Sequence, residues 1–517
     1  MSKNKLDLLL VNPSAQRVYQ KDQEKASYPA LEPPYLAALT AEFVRGRGFN
    51  VKILDANVEQ LSVPETVERI IDYDPKLMHM VVHGNQPSAS SQLMDLVGEV
   101  SKSLKGISPK TKILLTGTHP ASLPKRTLEE DVCDFVGRGE GFLAPLGILE
   151  GKPLHKIPGL WYKENGKIIP GTAETLMTSE ELGKELPKAA WDLLPIEKYR
   201  AHDWHSLDSL SERQPYAAMY TSFGCPYKCT FCCINAPFNE DGNVPNTIRF
   251  RDPNNIVDEI EFLVNHHGIN NLKFIDEMFV LTKRHYVTVA EKIVERGLGD
   301  KLNIWAYARV DTIHEGRLDL LRRAGIKWLA LGIESGSKHV RDGVEKGRFG
   351  QEDIIKNVRK VQDAGIYVVG NFIFGLPDDD LKSMQETLDL AIELNCERPN
   401  FYSTMAYPGS ELHRMAQRGE YPKPRDWDSK RALLPEDDGG PGWIGYSQHA
   451  YGCWPLPTEF LHPEQVLEFR DKALKTYFKN PNYINFLKRK FPNNTETEIE
   501  NFCEVNSKTP RRMILGH

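Results

Sequence analysis

The chain is poor in cysteine where a disulfide-stapled protein would be rich in it: of eight cysteines in 517 residues, only Cys133 falls in the first 200. That excludes a disulfide framework and suits a reducing cytoplasm, where thiols stay free for metal. No second C-x2-C pair is present to close a four-ligand zinc site. Long apolar runs are missing as well. Leu8–Val11 and Tyr367–Val369 have strand length, far short of the ~20 residues a membrane-spanning helix needs. There is no basic excess: the net charge of -6 argues against a broad nucleic-acid-binding surface. The first residues, MSKNKLDLLLVNP, hold no apolar leader core and run into a predicted strand, so the expected location is the cytoplasm. The 40% hydrophobic and 26% charged content is that of ordinary globular domains, and the length predicts about three.

What is present is a cysteine loop. Gly224-Cys225-Pro226-Tyr227-Lys228-Cys229-Thr230-Phe231-Cys232 sets three cysteines as C-x3-C-x2-C. Three thiolates on one short loop hold three irons of a [4Fe–4S] cluster and leave the fourth iron open to a small molecule. Structural zinc is the competing use of such cysteines, but it needs a fourth ligand. Cys233 is adjacent to Cys232 and reads as a packed thiol rather than that ligand.

Around the loop the chain alternates strand and helix signals. Residues 1–150 carry apolar runs at Leu6–Val11, Val51–Leu54, Leu77–Val82, Lys112–Thr116 and Val132–Val136, with helical stretches such as Tyr35–Arg47 and Ser91–Leu104 between them. This predicts a five-stranded, doubly wound α/β domain whose ligand binds at the strand carboxyl ends. Residues 151–215 read as a connector with a hairpin at Asn165-Gly166. Residues 216–418 hold six strand signals: Ala217–Phe223, Leu272–Ile275, Ile304–Arg309, Trp328–Ile333, Tyr367–Phe374 and Phe401–Met405. They predict a partial (βα)6 barrel with catalytic groups on its carboxyl-end loops. A helix opens at Asp252-Pro253, an N-cap followed by proline. Residues 419–517 form a C-terminal region that is mainly helical, with the stretch Pro463–Arg489 reading as helical. Its aromatic residues Trp443, Tyr446, Tyr451 and Trp454 read as packing in preference to a substrate lid, and the basic residues from Lys472 to Lys490 as a solvated face.

A doubly wound domain in front of this cysteine loop resembles the radical S-adenosylmethionine (radical SAM) enzymes that carry a cobalamin (B12)-binding domain. More narrowly, it resembles the group that includes the anaerobic Mg-protoporphyrin ester cyclase and C-methyltransferases. Val11-Asn12-Pro13, Glu32-Pro33-Pro34-Tyr35, Asp55-Ala56-Asn57, Gly117-Thr118-His119-Pro120 and Gly137-Arg138-Gly139-Glu140-Gly141 carry the N-terminal part, and the likeness covers about residues 5–410. One departure stands out. The D-x-H-x-x-G loop of many cobalamin domains, whose His ligates cobalt, is here Asn12-Pro13-Ser14-Ala15-Gln16-Arg17. The resemblance thus implies cobalamin held without that His, or a domain that no longer binds it.

The resemblance further implies a role for each matching residue. Cys225, Cys229 and Cys232 hold the cluster. Asp276 or Glu277 accepts hydrogen bonds from the SAM ammonium. Arg309 pairs with the SAM carboxylate, or forms a surface ion pair. Glu334 and Ser335 touch the ribose or carboxylate, and Gly375 and Phe231 lie against adenine. Asn12, Pro13, Gly117, Thr118, His119, Gly139 and Glu140 form the cobalamin loops. The implied activity is C-methylation of a small molecule by a 5′-deoxyadenosyl radical and methylcobalamin, with a reducing partner such as flavodoxin or ferredoxin. The alternatives are a cobalamin-dependent cyclase or rearrangement enzyme, a methylthiotransferase, and a non-catalytic cobalamin or iron–sulfur sensor.

Overall fold

In a computed structural model, which describes residues 6–15, 29–172, 174, 176–208, 210, 212–238, 247–347 and 349–516, the early apolar runs become a parallel sheet. Its strands are β1 (Leu8–Asn12), β2 (Val51–Asp55), β3 (Leu77–Val81), β4 (Lys112–Thr116) and β5 (Phe135–Gly137), in the order β2-β1-β3-β4-β5. Leu8, Leu9, Leu10 and Val11 are all fully buried, because helices cover both faces. The strand is therefore a continuous apolar run rather than an alternating one. β5 starts later than its sequence signal: the Asp134 carboxylate accepts the Ile113 N–H at 2.9 Å and ends the ladder there. The hairpin read as connector, β6 (Leu160–Glu164) and β7 (Lys167–Ile169), pairs antiparallel with β5 and extends this first sheet to seven strands. Its turn places Asn165 and Gly166 at φ 50° and 76°, which these two residues tolerate.

The second sheet is the partial barrel. β8 (Tyr216–Met219) is followed by a short antiparallel ribbon, β9 (Ser222–Phe223) with β10 (Arg249–Phe250). β11 (Asn271–Phe274), β12 (Asn303–Arg309), β13 (Ile326–Glu334), β14 (Tyr367–Phe374) and β15 (Arg398–Ser403) then add in sequence, all parallel, in the order β8-β11-β12-β13-β14-β15. The stretch Ala217–Phe223 is thus two strands, not one. Thr221 leaves the ladder because its N–H and hydroxyl both donate to the buried Asp276 carboxylate. The helix Pro253–His267 begins as its sequence predicts, with the Asp252 side chain accepting the Asn254 N–H at 2.8 Å.

The stretch Pro463–Arg489 is helical as its sequence reads, in two pieces, Pro463–Phe478 and Pro481–Lys490. Pro481 has no N–H to donate and its ring would clash with the preceding turn; Asn480 caps the new start, accepting from Asn482 N–H at 2.9 Å. A third helix, Glu496–Ser507, follows. The first of the three packs on β14 and β15, where Arg470 Nε donates to the Phe401 carbonyl at 2.9 Å. No helix among the described residues is long and apolar enough to cross a membrane.

The two sheets are joined by buried charge. Glu259 of the barrel receives Arg251 (2.8 Å), Trp191 Nε1 (2.6 Å), Ala189 N–H (2.9 Å) and the Tyr35 hydroxyl (3.0 Å). Glu32 reaches Lys273 of β11 at 2.8 Å. The Glu32-Pro33-Pro34-Tyr35 motif therefore fastens the first sheet to the barrel.

Candidate active site

Both sheets turn their strand carboxyl ends toward one cavity of about 1340 Å³, larger than the roughly 300–1,000 Å³ of single-ligand pockets. The cysteine loop forms part of its wall: Cys225, Cys229, Phe231 and Cys232 all line it. The loop turns at Gly224, where φ is +83° and a Cβ would lie 2.4 Å from the Thr247 carbonyl, so only glycine fits. It is then pinned at both sides. Thr230 N–H donates to the Val344 carbonyl (3.2 Å), and the Thr230 carbonyl accepts from Leu412 (3.0 Å). Phe231 packs against two apolar clusters, one containing Leu376 and the other Leu412.

Among the described residues no three Cys, His, Asp or Glu side chains converge on a point as the ligands of one ion do. Three thiols that each hold a different iron need no such convergence. Burial raises all three thiols above their ordinary range, Cys225 to about 11, and cations stand beside Cys229. Arg309 Nη1 lies 3.8 Å from Cys229 Sγ, and the Lys346 and Arg309 charges both act to ease Cys229 ionisation against its burial. Those two cations offset the charge that a thiolate at Cys229 would carry. Cys233 is buried outside the triad.

The predicted SAM residues divide. Asp276, Glu277, Arg309 and Glu334 line the cavity. Asp276, however, is committed to Thr221 and to the Ser222 hydroxyl (2.6 Å). The Glu277 carboxylate accepts its own backbone N–H, and burial pushes its carboxyl up to about 8. Arg309 is no surface ion pair: it is 3% exposed, grips Asp311 with two 2.9 Å bonds and lies 3.8 Å above the Tyr227 ring. Glu334 ends β13 at φ +66°, a strained backbone for glutamate, and meets Lys346 Nζ at 2.6 Å. Ser335 is turned away to Thr387 (3.1 Å). At Gly375 a Cβ would strike Val466 at 2.3 Å, so this glycine admits the C-terminal helix.

On the cobalamin side Asn12 and Pro13 line the cavity, together with Ala15, Asn57, Gly84 and Leu93. Gln16 and Arg17 lie outside the described residues. Asn12 donates to Asp55 at 2.8 Å and Asn57 accepts the Ala15 N–H at 2.9 Å, so the first two strand-end loops brace each other. Small side chains at Pro13, Ser14, Ala15 and Gly84 leave room for a large planar ring, and none of the described residues of this loop is a histidine. Gly117, Thr118, His119, Gly139 and Glu140 do not line the cavity. Gly117 sits against the Val82 carbonyl. His119 packs edge-on to Trp443 at 4.3 Å and bonds Ser91 at 3.0 Å. Glu140 is paired with Arg249 of the barrel at 2.7 Å. Trp443 is thus packing, as its sequence context suggests, whereas Tyr446 and Gln448 line the cavity.

Sequence reasoning missed Lys273, Trp305, Lys346 and Gln448. A signal existed for Lys273, a lysine in the middle of the apolar strand Leu272-Lys273-Phe274. None existed for Lys346 or Gln448, which long-range folding brings in.

With this geometry in place, the comparisons with known proteins are specific. Residues 219–391 match the model of the radical SAM superfamily and residues 25–146 that of the B12 binding domain. An uncharacterized methyltransferase of Pyrococcus horikoshii is 28% identical over 391 residues, 74% of this chain and 78% of that protein. The anaerobic magnesium-protoporphyrin IX monomethyl ester cyclase of Rubrivivax gelatinosus is 26% identical over 396 residues, 74% of this chain and 65% of that protein. The fold is that of the radical S-adenosylmethionine methyltransferase TsrM from Kitasatospora setae, solved with cobalamin and a [4Fe-4S] cluster: TM-score 0.67, 17% identity, 97% of this chain and 99% of that one.

Proposed function

We propose that this chain, a radical SAM enzyme with an N-terminal B12-binding domain, is a C-methyltransferase acting on a small molecule. The two domains imply a [4Fe–4S] cluster, SAM and cobalamin as cofactors. The observation that carries the reading is the shared cavity: the loops of β1 and β2 and the cysteine loop open onto the same space, so groups held by the two domains face one substrate.

When bound, these cofactors supply a 5′-deoxyadenosyl radical and a transferable methyl group. The chain supplies everything else. Cys225, Cys229 and Cys232 hold three irons. Arg309 and Lys346 place positive charge beside them, and Asp311 and Glu334 fix those cations. Glu277 is the carboxylate left to receive an ammonium group, while Asp276 holds the bend after β8. Asn12, Asn57 and the small residues beside them form the floor for cobalamin. Glu32, Tyr35 and Glu259 fasten the first sheet to the barrel and so hold the two halves of the cavity together. A cytoplasmic setting and electron delivery by a flavodoxin or ferredoxin complete the reading.

The test is anaerobic reconstitution with iron, sulfide and hydroxocobalamin, then incubation with SAM, reductant and candidate substrates. Deoxyadenosine formation with a product heavier by one CH2 is the expected result. A product of unchanged carbon count points to cyclisation or rearrangement. Bound cluster without deoxyadenosine removes the enzyme reading.

A further inference from the structure

The barrel is not filled with stacked aliphatic side chains, as a closed barrel of this kind is. Trp305, Tyr307, Asn371, Asn400 and Tyr402 line its lumen, and Ala330 and Gly332, on the strand between β12 and β14, leave space beside them. At the far end, on the first residue of β15, stands Arg398, which lines the same cavity and is only 8% exposed. Its Nε and Nη1 are buried without a hydrogen-bond partner, and it makes no salt bridge among the described residues.

This sets it apart from its neighbours. Lys273, Arg309, Lys346 and Arg470 line the cavity too, and each is paired with a carboxylate. Asp203, a buried carboxylate in the field of Arg398, has its Oδ1 engaged by the His202 ring and the Trp204 N–H, and its Oδ2 forms no salt bridge with Arg398. Three aromatic rings approach the guanidinium: Phe478 at 4.9 Å, Phe502 at 5.6 Å and Trp204 at 5.9 Å from its central carbon. Rings stabilise the cation through its face. They accept none of its N–H groups, and a guanidinium N–H fork is the geometry that receives a carboxylate or phosphate.

We propose that Arg398 anchors an acidic group of the substrate, so that the substrate is an elongated organic anion lying along the barrel lumen. The proposal rests on the methyltransferase reading for what happens at the other end. Five strand steps separate Arg398 from Ser403 at the carboxyl end of β15, about 16 Å at roughly 3.3 Å per residue. The acid end therefore lies deep, and the carbon to be modified lies near the cysteine loop. Arg200, partly exposed on the same cavity and without a side-chain bond among the described residues, offers a second cation.

The test uses the full chain reconstituted with cluster and cobalamin, titrated calorimetrically with octanoate, octyl phosphate and 1-octanol. The expected result is that one or both anions bind at least about tenfold more tightly than the alcohol, a difference of about 1.4 kcal/mol. In Arg398→Met that preference falls to near unity. Preference for octanoate or for octyl phosphate separates a carboxylate from a phosphate or phosphonate substrate. Equal binding of anions and alcohol, no saturable anion binding, or an anion preference that survives Arg398→Met overturns the proposal. Should Arg398→Met fail to fold, Arg398→Lys carries the test: it keeps the charge but not the fork, and an unchanged octanoate preference then sinks the assignment. Deoxyadenosine formation and a product heavier by one CH2 from the wild-type preparation report the methyltransferase reading separately. Their absence beside a retained, Arg398-dependent anion preference removes that reading and leaves the anion site standing.

Discussion

Arg309 Nη1 stands 3.8 Å from Cys229 Sγ, with both remaining edges of its guanidinium taken by Asp311 and the Lys346 carbonyl. An arginine so committed holds the cysteine loop and offsets its charge, and has little left for a SAM carboxylate. Arg309→Met should therefore lower the reduction potential of the reconstituted cluster, because a cation that favours the added electron is gone. Arg309→Lys should restore part of the shift. A spectroscopically monitored redox titration decides it; equal potentials in all three proteins would reduce Arg309 to a packing role.

The Lys346–Glu334 pair gives a second prediction. Both side chains are 8% exposed, so removing one leaves a buried charge alone. Lys346→Met should destabilise the chain by about 3–5 kcal/mol, while Lys346→Met with Glu334→Leu should recover most of the loss. Denaturant unfolding of the two variants is the measurement. If the double variant is no better than the single one, the pair is not coupled.

Glu277 predicts a pH dependence. Burial raises its carboxyl from 4.5 to about 8. In the cofactor-free fold it keeps a proton that the unfolded chain releases above pH 4.5. It therefore costs stability progressively as pH rises from about 4.5 to 8. An arriving ammonium favours the ionised form, so SAM binding releases this proton, and affinity should fall by up to about tenfold per pH unit from pH 8 toward pH 6. Glu277→Gln should bind SAM more weakly and lose this slope. Calorimetry in buffers of different ionisation enthalpy would detect the proton; if wild type and Glu277→Gln share one pH profile, another group binds the ammonium.

The parts legible in the sequence were those fixed by local chemistry. Cys225, Cys229 and Cys232 are read from spacing, the helix at Asp252-Pro253 from its cap, and the two sheets from alternating apolar runs. The strand-end motifs were found, but the partners of their side chains were not. Gly139-Glu140 looked like a cofactor loop, yet Glu140 faces Arg249, more than a hundred residues away in sequence. Gly375 looked like an adenine contact and serves a helix of the last hundred residues. Lys346 and Gln448 sit in no motif at all. Which side chain meets a ligand and which meets protein depends on contacts across the chain, and spacing does not encode them.

His119 gives the last prediction. It occupies a motif expected to touch cobalamin, yet it is 2% exposed, lies edge-on to Trp443 and bonds Ser91. Burial, with minor contributions from His413 and Arg126, lowers its pKa to about 3. The folded chain thus keeps this ring neutral where the unfolded chain protonates it below about pH 6.5. Its presence costs stability as pH falls from 6.5 toward 3, by up to about 1.4 kcal/mol per pH unit. His119→Gln loses ring packing and should be less stable than wild type at pH 7. The gap should narrow steadily between pH 6.5 and 5, because only wild type takes up the extra proton on unfolding. The absorption spectrum of bound cobalamin should be the same in both proteins, since the imidazole faces Trp443 and not the cavity. A gap that stays constant with pH, or a cobalamin spectrum that changes with the substitution, would return His119 to the cofactor.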